Sequence, residues 1–240
     1  MKLSIMQPYF FPYIGYFSLI AKADKFIIFD TPQFMRKSWI ARNRILKLGG
    51  GSVYIKVPLM KSPLDTSIKE IKINNDIQWK NQIISQLDIY RKRAPYFKET
   101  IELVKHCLSE HHDSISELNE NILRKICDYL DIKTEICIYS KFDKIIDNVN
   151  SPDEWALNIC KSLGANTYIN AIGGKSFFNY EKYKEGNVNL FFIEQPLIQY
   201  KQIEKEFEPG LSIIDVLMFN KPIEAMNMIN ASYLTTITSN

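Results

Sequence analysis

The chain is poor in the residues that hold metals or staple small folds. Its four cysteines (Cys107, Cys127, Cys137, Cys160) lie far apart in 240 residues, with no C-x-x-C pair and no histidine at ligand spacing. That argues against a bound metal and against a disulfide framework, and favours four reduced thiols in a cytoplasmic protein. Only three histidines occur, His106, His111 and His112, crowded near a charged helix end. With no serine or cysteine partner in view, no Ser-His-Asp or Cys-His nucleophile is spelled. No apolar run approaches the length of a membrane span, and Pro8 interrupts the first apolar stretch too early for a secretory signal. Repeats and low-complexity segments are absent. The net charge of +3 comes without a long basic stripe, which excludes an ordinary duplex nucleic-acid binder. A small anionic ligand needs fewer cations, and Arg36, Lys37, Arg42 and Arg44 form one local group.

What is present is concentrated near the N-terminus. An apolar strand at 3–6 runs into a turn holding Pro8 and Pro12 with Tyr9, Phe10, Phe11 and Tyr13. Gly15 opens a short helix to Ala23, Asp24 follows, and a second apolar strand at 26–29 stops at Asp30. Strand, loop, helix, strand is the opening unit of a parallel α/β sheet, and such sheets bind ligands beyond the carboxyl ends of their strands. Gln7, Tyr9, Tyr13, Tyr16 and Asp30 are placed there. Asp30 is the candidate proton acceptor, with Tyr16 and Gln7 as further catalytic candidates; Asp24 reads as a local cap. The polar loop that follows carries Lys37, Trp39, Arg42 and Asn43. Arginine and lysine suit phosphate, asparagine a sugar or base edge, and the indole a ring face.

Further along, the Gly49-Gly50-Gly51 turn precedes a strand at 52–57, and 68–73 alternates like another strand. From Ile77 the period becomes helical. Trp79, Ile83, Leu87 and Tyr90 share a face; so do Phe97, Ile101, Val104 and Leu108; so do Ile115, Leu118, Ile122, Ile126 and Tyr129. Strands are expected at 134–139, 167–169 and 188–193. Helices are expected after a Ser151-Pro152-Asp153-Glu154 capping box, ending at Gly164, and over 212–219 and 222–229. Gly173-Gly174-Lys175-Ser176 lacks the earlier glycine of a phosphate loop, since Ile169 stands there. Asn170, Gly173 and Gly174 still form a turn able to offer backbone N–H groups to a ligand. Asp215, three residues after Ser212, reads as half of a capping box. The expectation is an α/β, Rossmann-like, mostly parallel sheet in one domain over 1–230, with a helical insertion near 77–130 and a polar tail over 231–240.

These residues also carry a resemblance. MQPYFFPYIGYFSLI, ADKFIIFD, WIARNRI, the Ala94-Pro95-Tyr96-Phe97 step, TYINAIGG and LSIIDVLMFN resemble the WbqC-like family of bacterial polysaccharide and O-antigen biosynthesis, over almost the whole chain. Thr31 stands where a second acid is expected, and Ala41 where the family more often has asparagine. The resemblance implies a transferase that N-acylates or aminoacylates, for example with glycine, an amino-dideoxy sugar carried on a nucleotide. It implies no tightly bound cofactor, and a donor that is a coenzyme A or acyl-carrier-protein thioester or an adenylate. A weaker resemblance, over the first two strands, is to the nucleotidyltransferase superfamily that includes pantothenate synthetase. Tyr13-Ile14-Gly15-Tyr16 occupies its His-x-Gly-His place and Thr31-Pro32-Gln33-Phe34 closes the match, so both histidines are tyrosines. A nucleotidyl or adenylate-forming transferase without those histidines, and a non-catalytic binder of nucleotide sugars, are the alternatives.

Overall fold

A computed structural model describes residues 1–142, 146 and 148–236. β1 (Lys2–Met6) is extended because its buried side chains alternate: Leu3 and Ile5 enter one apolar cluster, while Ser4 faces the other way. α1 (Ile14–Ala21) follows the aromatic turn and leads back to β2 (Lys25–Ile28), which lies parallel to β1 with Leu3 opposite Lys25. β3 (Arg42–Leu46) and β4 (Ser52–Lys56) form a separate antiparallel hairpin. Gly49, Gly50 and Gly51 close it at φ of 84°, 101° and 72°, a left-handed run that side chains resist.

Three helices come next: α2 (Trp79–Gln86), α3 (Phe97–Leu108) and α4 (Ile115–Tyr129). Their predicted stripes are largely buried, Ile115, Leu118, Ile122 and Ile126 almost wholly so. The sheet then resumes with β5 (Glu135–Ile138), α5 (Glu154–Leu163), β6 (Thr167–Ala171), α6 (Tyr180–Glu185) and β7 (Asn189–Glu194). α7 (Ile213–Phe219), α8 (Pro222–Asn230) and β8 (Tyr233–Thr235) complete the order.

The six-stranded sheet runs β5-β2-β1-β6-β7-β8, parallel at every pairing except the antiparallel β7–β8 edge. α1, α4 and α8 cover one face, packing on Phe26, Ile28 and Ile193; α5 and α6 cover the other, packing on Leu3, Ile27 and Phe192. This is the Rossmann-like, mainly parallel α/β architecture that the alternation predicts. The chain steps from β1 outward through β2 to β5, then returns to the far side of β1 for β6 and β7. The carboxyl ends of β1 and β6 therefore part at a topological switch point, where such sheets open a crevice.

Several elements differ from expectation. Arg42–Leu46 is a strand and not a loop: Asn43 and Ile45 point inward while Arg42 and Arg44 lie on the half-exposed face, so a polar sequence carries the period-2 pattern. The segment 68–73 is no strand. Ser67 and Glu70 cap each other reciprocally, with Ser67 Oγ donating to Glu70 at 2.6 Å, and wind Ile68–Glu70 into a single 3₁₀ turn. Ser151 is not the cap of α5. Asp153 holds that position, and the Glu154 carboxylate instead takes the Asn150 N–H at 2.8 Å. Gly164 does end α5 in the left-handed conformation. α6 was not anticipated; Asn179 caps it by accepting from the N–H groups of Glu181 and Lys182. Tyr233–Thr235, expected to be polar tail, pairs with β7, and residues 237–240 of that tail lie outside the described residues.

Candidate functional site

The aromatic turn is built by buried backbone bonds. Phe10 and Phe11 are fully buried, and Phe11 is held at φ 40°, a conformation that needs outside support in a bulky residue. The support is visible. The Asn43 amide donates to the carbonyls of Phe10 (3.2 Å) and Phe11, and Ser212 Oγ donates to Phe11 at 2.8 Å. The Phe10 N–H donates to the Trp39 carbonyl. Asn43 is thus an interior pin, out of reach of a ligand. Replacing it with alanine takes from the Phe10 carbonyl its side-chain donor, leaves Ser212 alone on that of Phe11, and strips the Arg44 N–H of its acceptor. The expected loss is about 2–3 kcal/mol, measurable by urea denaturation.

Three depressions surround this core. The first, about 570 Å3, opens at the switch point between Gln7 at the end of β1 and Asn170 on β6, with Phe29, Trp155 and Phe178 as aromatic walls. The second, a groove of about 650 Å3, is lined by Arg36, Lys37, Arg42, Lys56 and Lys61 with Ser38. The third, about 550 Å3, lies on the opposite face of β6 and takes Tyr13, Gly173, Glu194 and Tyr200 among aliphatic side chains. Asn170 and Ala171 are neighbours on one strand, so they serve opposite faces and different cavities.

The groove gathers five cations. Among the described residues none of them forms a salt bridge. The Nε of Arg42 and the Oγ of Ser38 are buried without a hydrogen-bond partner. The Arg42 guanidinium lies 4.4 Å from the centre of the Tyr54 ring and 5.9 Å from that of Trp39. Trp39 in turn stacks on Tyr9, centroids 5.7 Å apart and planes at 24°. Lys37 holds φ 60°, the left-handed region, at the tip of the loop. Lys56 reaches the groove because the hairpin register sets it opposite Arg42.

The predicted site residues therefore do not share one cleft. Lys37 and Arg42 meet in the groove, with Trp39 and Tyr9 stacked beside Arg42. Gln7 and Asn170 meet at the switch point. Tyr13 and Gly173 face the third cavity, and Gly174 sits so close to Asn170 that a Cβ would come within 2.8 Å of its Nδ2. Tyr16 and Asp30 are sealed inside. The Tyr16 hydroxyl donates to the Gln7 carbonyl at 2.8 Å, and burial pushes its pKa well above the ordinary tyrosine value. Asp30, 1% exposed, accepts from Ser140 N (3.0 Å), Ser140 Oγ (2.7 Å) and Ser116 Oγ (3.1 Å). Neither reaches a bound molecule from that position, so both act here as internal ties.

One buried group escaped the sequence reading. Ser212 caps α7 through the Ile214 N–H, but Asp215 does not complete a capping box. Its carboxylate turns inward and accepts from Tyr90 Oη (2.7 Å), Tyr200 Oη (2.6 Å) and Gln202 Nε2 (3.0 Å). Burial raises its pKa to about 6 even though those hydrogen bonds pull it down. The thiols of Cys107, Cys127 and Cys160 are pushed up to about 12 by burial, which makes them poor nucleophiles. Among the described residues no three His, Cys, Asp or Glu side chains converge as a metal site would require, and no helix is long and apolar enough to cross a membrane.

Fold and cavities together define a Rossmann-like α/β protein with an aromatic crevice at its switch point and a cationic groove, the first lined by no charged residue and the second by no carboxylate among the described residues. Comparison with known proteins narrows the class: the chain belongs to the WbqC-like protein family, whose model matches residues 7–227. It is similar to the protein called Uncharacterized protein Rv1507c of Mycobacterium tuberculosis (strain ATCC 25618 / H37Rv), 32% identical over 227 residues that cover 93% of this chain and 95% of that one. No solved structure matches it.

Proposed function

We propose that the protein is a transferase of surface-polysaccharide biosynthesis that N-acylates or aminoacylates an amino-dideoxy sugar carried on a nucleotide. The observation that carries the reading is the groove: five cations without a carboxylate among them, beside the Tyr9–Trp39 stack. Such an arrangement favours the diphosphate of a nucleotide sugar, with Arg42 offering its fork and Lys37 a mobile point charge. The sugar and the acyl transfer are what the resemblance described above implies. In the reaction the amine lone pair attacks the carbonyl carbon of a thioester from coenzyme A or a carrier protein. A C–N bond forms, the C–S bond breaks, and the ammonium proton passes to the departing thiolate, leaving an amide and a thiol. No enzyme nucleophile is needed. The protein contributes position, and orientation alone removes several kcal/mol of barrier. With Asp30 and Tyr16 sealed, neither is a proton carrier in this scheme.

Thermal shift against UDP, dTDP, ATP and coenzyme A tests the binding half. Uridine or thymidine diphosphate is expected to raise the melting temperature, and Arg42→Ala to weaken that affinity by roughly tenfold to a hundredfold, the worth of a charge-assisted contact. Stabilisation by ATP alone would favour the adenylate-forming alternative, and a full shift retained in Arg42→Ala would remove the phosphate assignment.

A further inference from the structure

The switch-point cavity differs from the groove in kind. None of the described residues that line it is charged. Its walls are rings held by other rings: Trp155 lies 5.5 Å from Phe29 and 6.1 Å from Tyr139, and Phe178 lies 5.6 Å from Tyr168 and 5.7 Å from Tyr183. Phe177, 54% exposed, stands at the mouth against Phe178. The polar groups are few and gathered. Besides the Trp155 indole N–H and the Tyr168 hydroxyl, which donates to the Ile5 carbonyl at 3.5 Å, they are the Gln7 side chain at the tip of β1, the Asn170 amide on β6, and the Thr31 hydroxyl just past β2. Thr31 Oγ1 is buried without a partner. Asn170 Oδ1 accepts the Ala171 N–H at 2.8 Å, and no described residue hydrogen-bonds its Nδ2 or the Gln7 amide. Donors and acceptors thus wait at one side of a preformed apolar slot.

This division selects a ligand. A sugar carries hydroxyls around its whole perimeter, and each one buried needs a partner, so an aromatic slot with its few neutral polar groups gathered mostly at one side suits it poorly. A phosphate needs cations, and the described residues of the cavity offer none. A nucleobase has two apolar π faces and one polar edge, which carboxamides read with paired hydrogen bonds. The volume of about 570 Å3 lies within the range of small-molecule sites. We infer that the switch-point cavity is a nucleoside subsite: the aromatic walls enclose the base, and Gln7, Asn170 and Thr31 read its polar edge. The inference deepens the reading of the protein as a nucleotide-sugar transferase and rests on it for what the nucleoside is attached to.

The test separates the two ideas by dividing the ligand. Uridine, thymidine, adenosine, the methyl glycoside of an amino sugar, and inorganic pyrophosphate are each titrated into the full chain. Tryptophan fluorescence and saturation-transfer NMR follow binding. At least one nucleoside is expected to bind saturably with its strongest transfer on base protons, and to quench fluorescence through Trp155. Gln7→Leu and Phe177→Ala alter exposed side chains, so the fold is expected to survive, as circular dichroism will verify; each should weaken nucleoside binding about tenfold. Thr31→Val gives a third, conservative probe. Arg42→Ala should weaken pyrophosphate and not the bare nucleoside. The inference is overturned if no nucleoside binds, if the methyl glycoside alone binds, or if nucleoside affinity is the same in Gln7→Leu and Phe177→Ala. Pyrophosphate binding without nucleoside binding would sink this inference and leave the groove assignment standing.

Discussion

Replacing Asp215 with alanine is expected to destabilise the protein by roughly 3–5 kcal/mol in urea denaturation, the largest single effect foreseen outside the apolar core. The carboxylate is fully buried and receives Tyr90, Tyr200 and Gln202 at 3.0 Å or less. Tyr90 Oη also accepts the Leu46 N–H at 3.0 Å, so the network ties the β3–β4 hairpin to α7 and to the segment holding Tyr200. Alanine would leave three donors facing a void. A loss under about 1 kcal/mol would contradict this account. The same group predicts a pH signature. Its pKa is near 6 in the folded protein against 3.8 ordinarily, so between those values the folded state keeps a proton that the unfolded chain has released. Stability from this group is therefore greatest below about pH 4 and falls as pH rises to about 6, by roughly 3 kcal/mol at about 1.4 kcal/mol per unit. Glu154 pulls the other way: its bonds to Lys182 and Asn150 lower it from 4.5 to about 2, so its contribution is lost progressively as pH falls from about 4.5 to about 2. Subtracting the Asp215→Asn profile from the wild-type profile isolates the Asp215 contribution, which a flat difference between pH 4 and 6 would refute.

Asp30→Ala is expected to cost about 2–4 kcal/mol, because it strips Ser140 and Ser116 of their shared acceptor inside the fold. Those bonds fasten the end of β2 to the turn after β5 and to the first turn of α4. Asp30→Asn separates structure from chemistry. An internal tie predicts a melting temperature lowered by several degrees with the dTDP or UDP affinity retained. A proton carrier predicts an intact fold and abolished transfer, and that pattern would return Asp30 to the reaction.

The opening β-α-β unit was legible because apolar residues change period from 2 to 3.6 between β1 and α1, and parallel strands buried on both faces read as short apolar runs. β3 was hidden because arginine and asparagine carry its alternation. Asp30 looked like a ligand-facing acid because nothing local shows that Ser116 and Ser140, 86 and 110 residues away, close over it. Asp215 fitted a capping box for the same reason, its partners being spread from Tyr90 to Gln202. Three of the five groove cations were readable: Arg36, Lys37 and Arg42 stand out in sequence, whereas Lys56 arrives only through hairpin pairing and Lys61 through the chain beyond it. Gln7 was marked at a strand end and Asn170 as part of a ligand-binding turn; their meeting depends on β6 lying beside β1, a pairing set by the whole sheet.

Incubating the purified protein with a dTDP-linked 4-amino sugar and candidate donors, glycyl and short acyl thioesters of coenzyme A or a carrier protein among them, and weighing the sugar by mass spectrometry tests the central claim most directly. The account predicts that one donor adds its acyl mass to the sugar amine with release of free thiol, and that Arg42→Ala slows the gain at least tenfold. An unchanged sugar mass with every donor, under conditions in which the nucleotide sugar is bound, would contradict it.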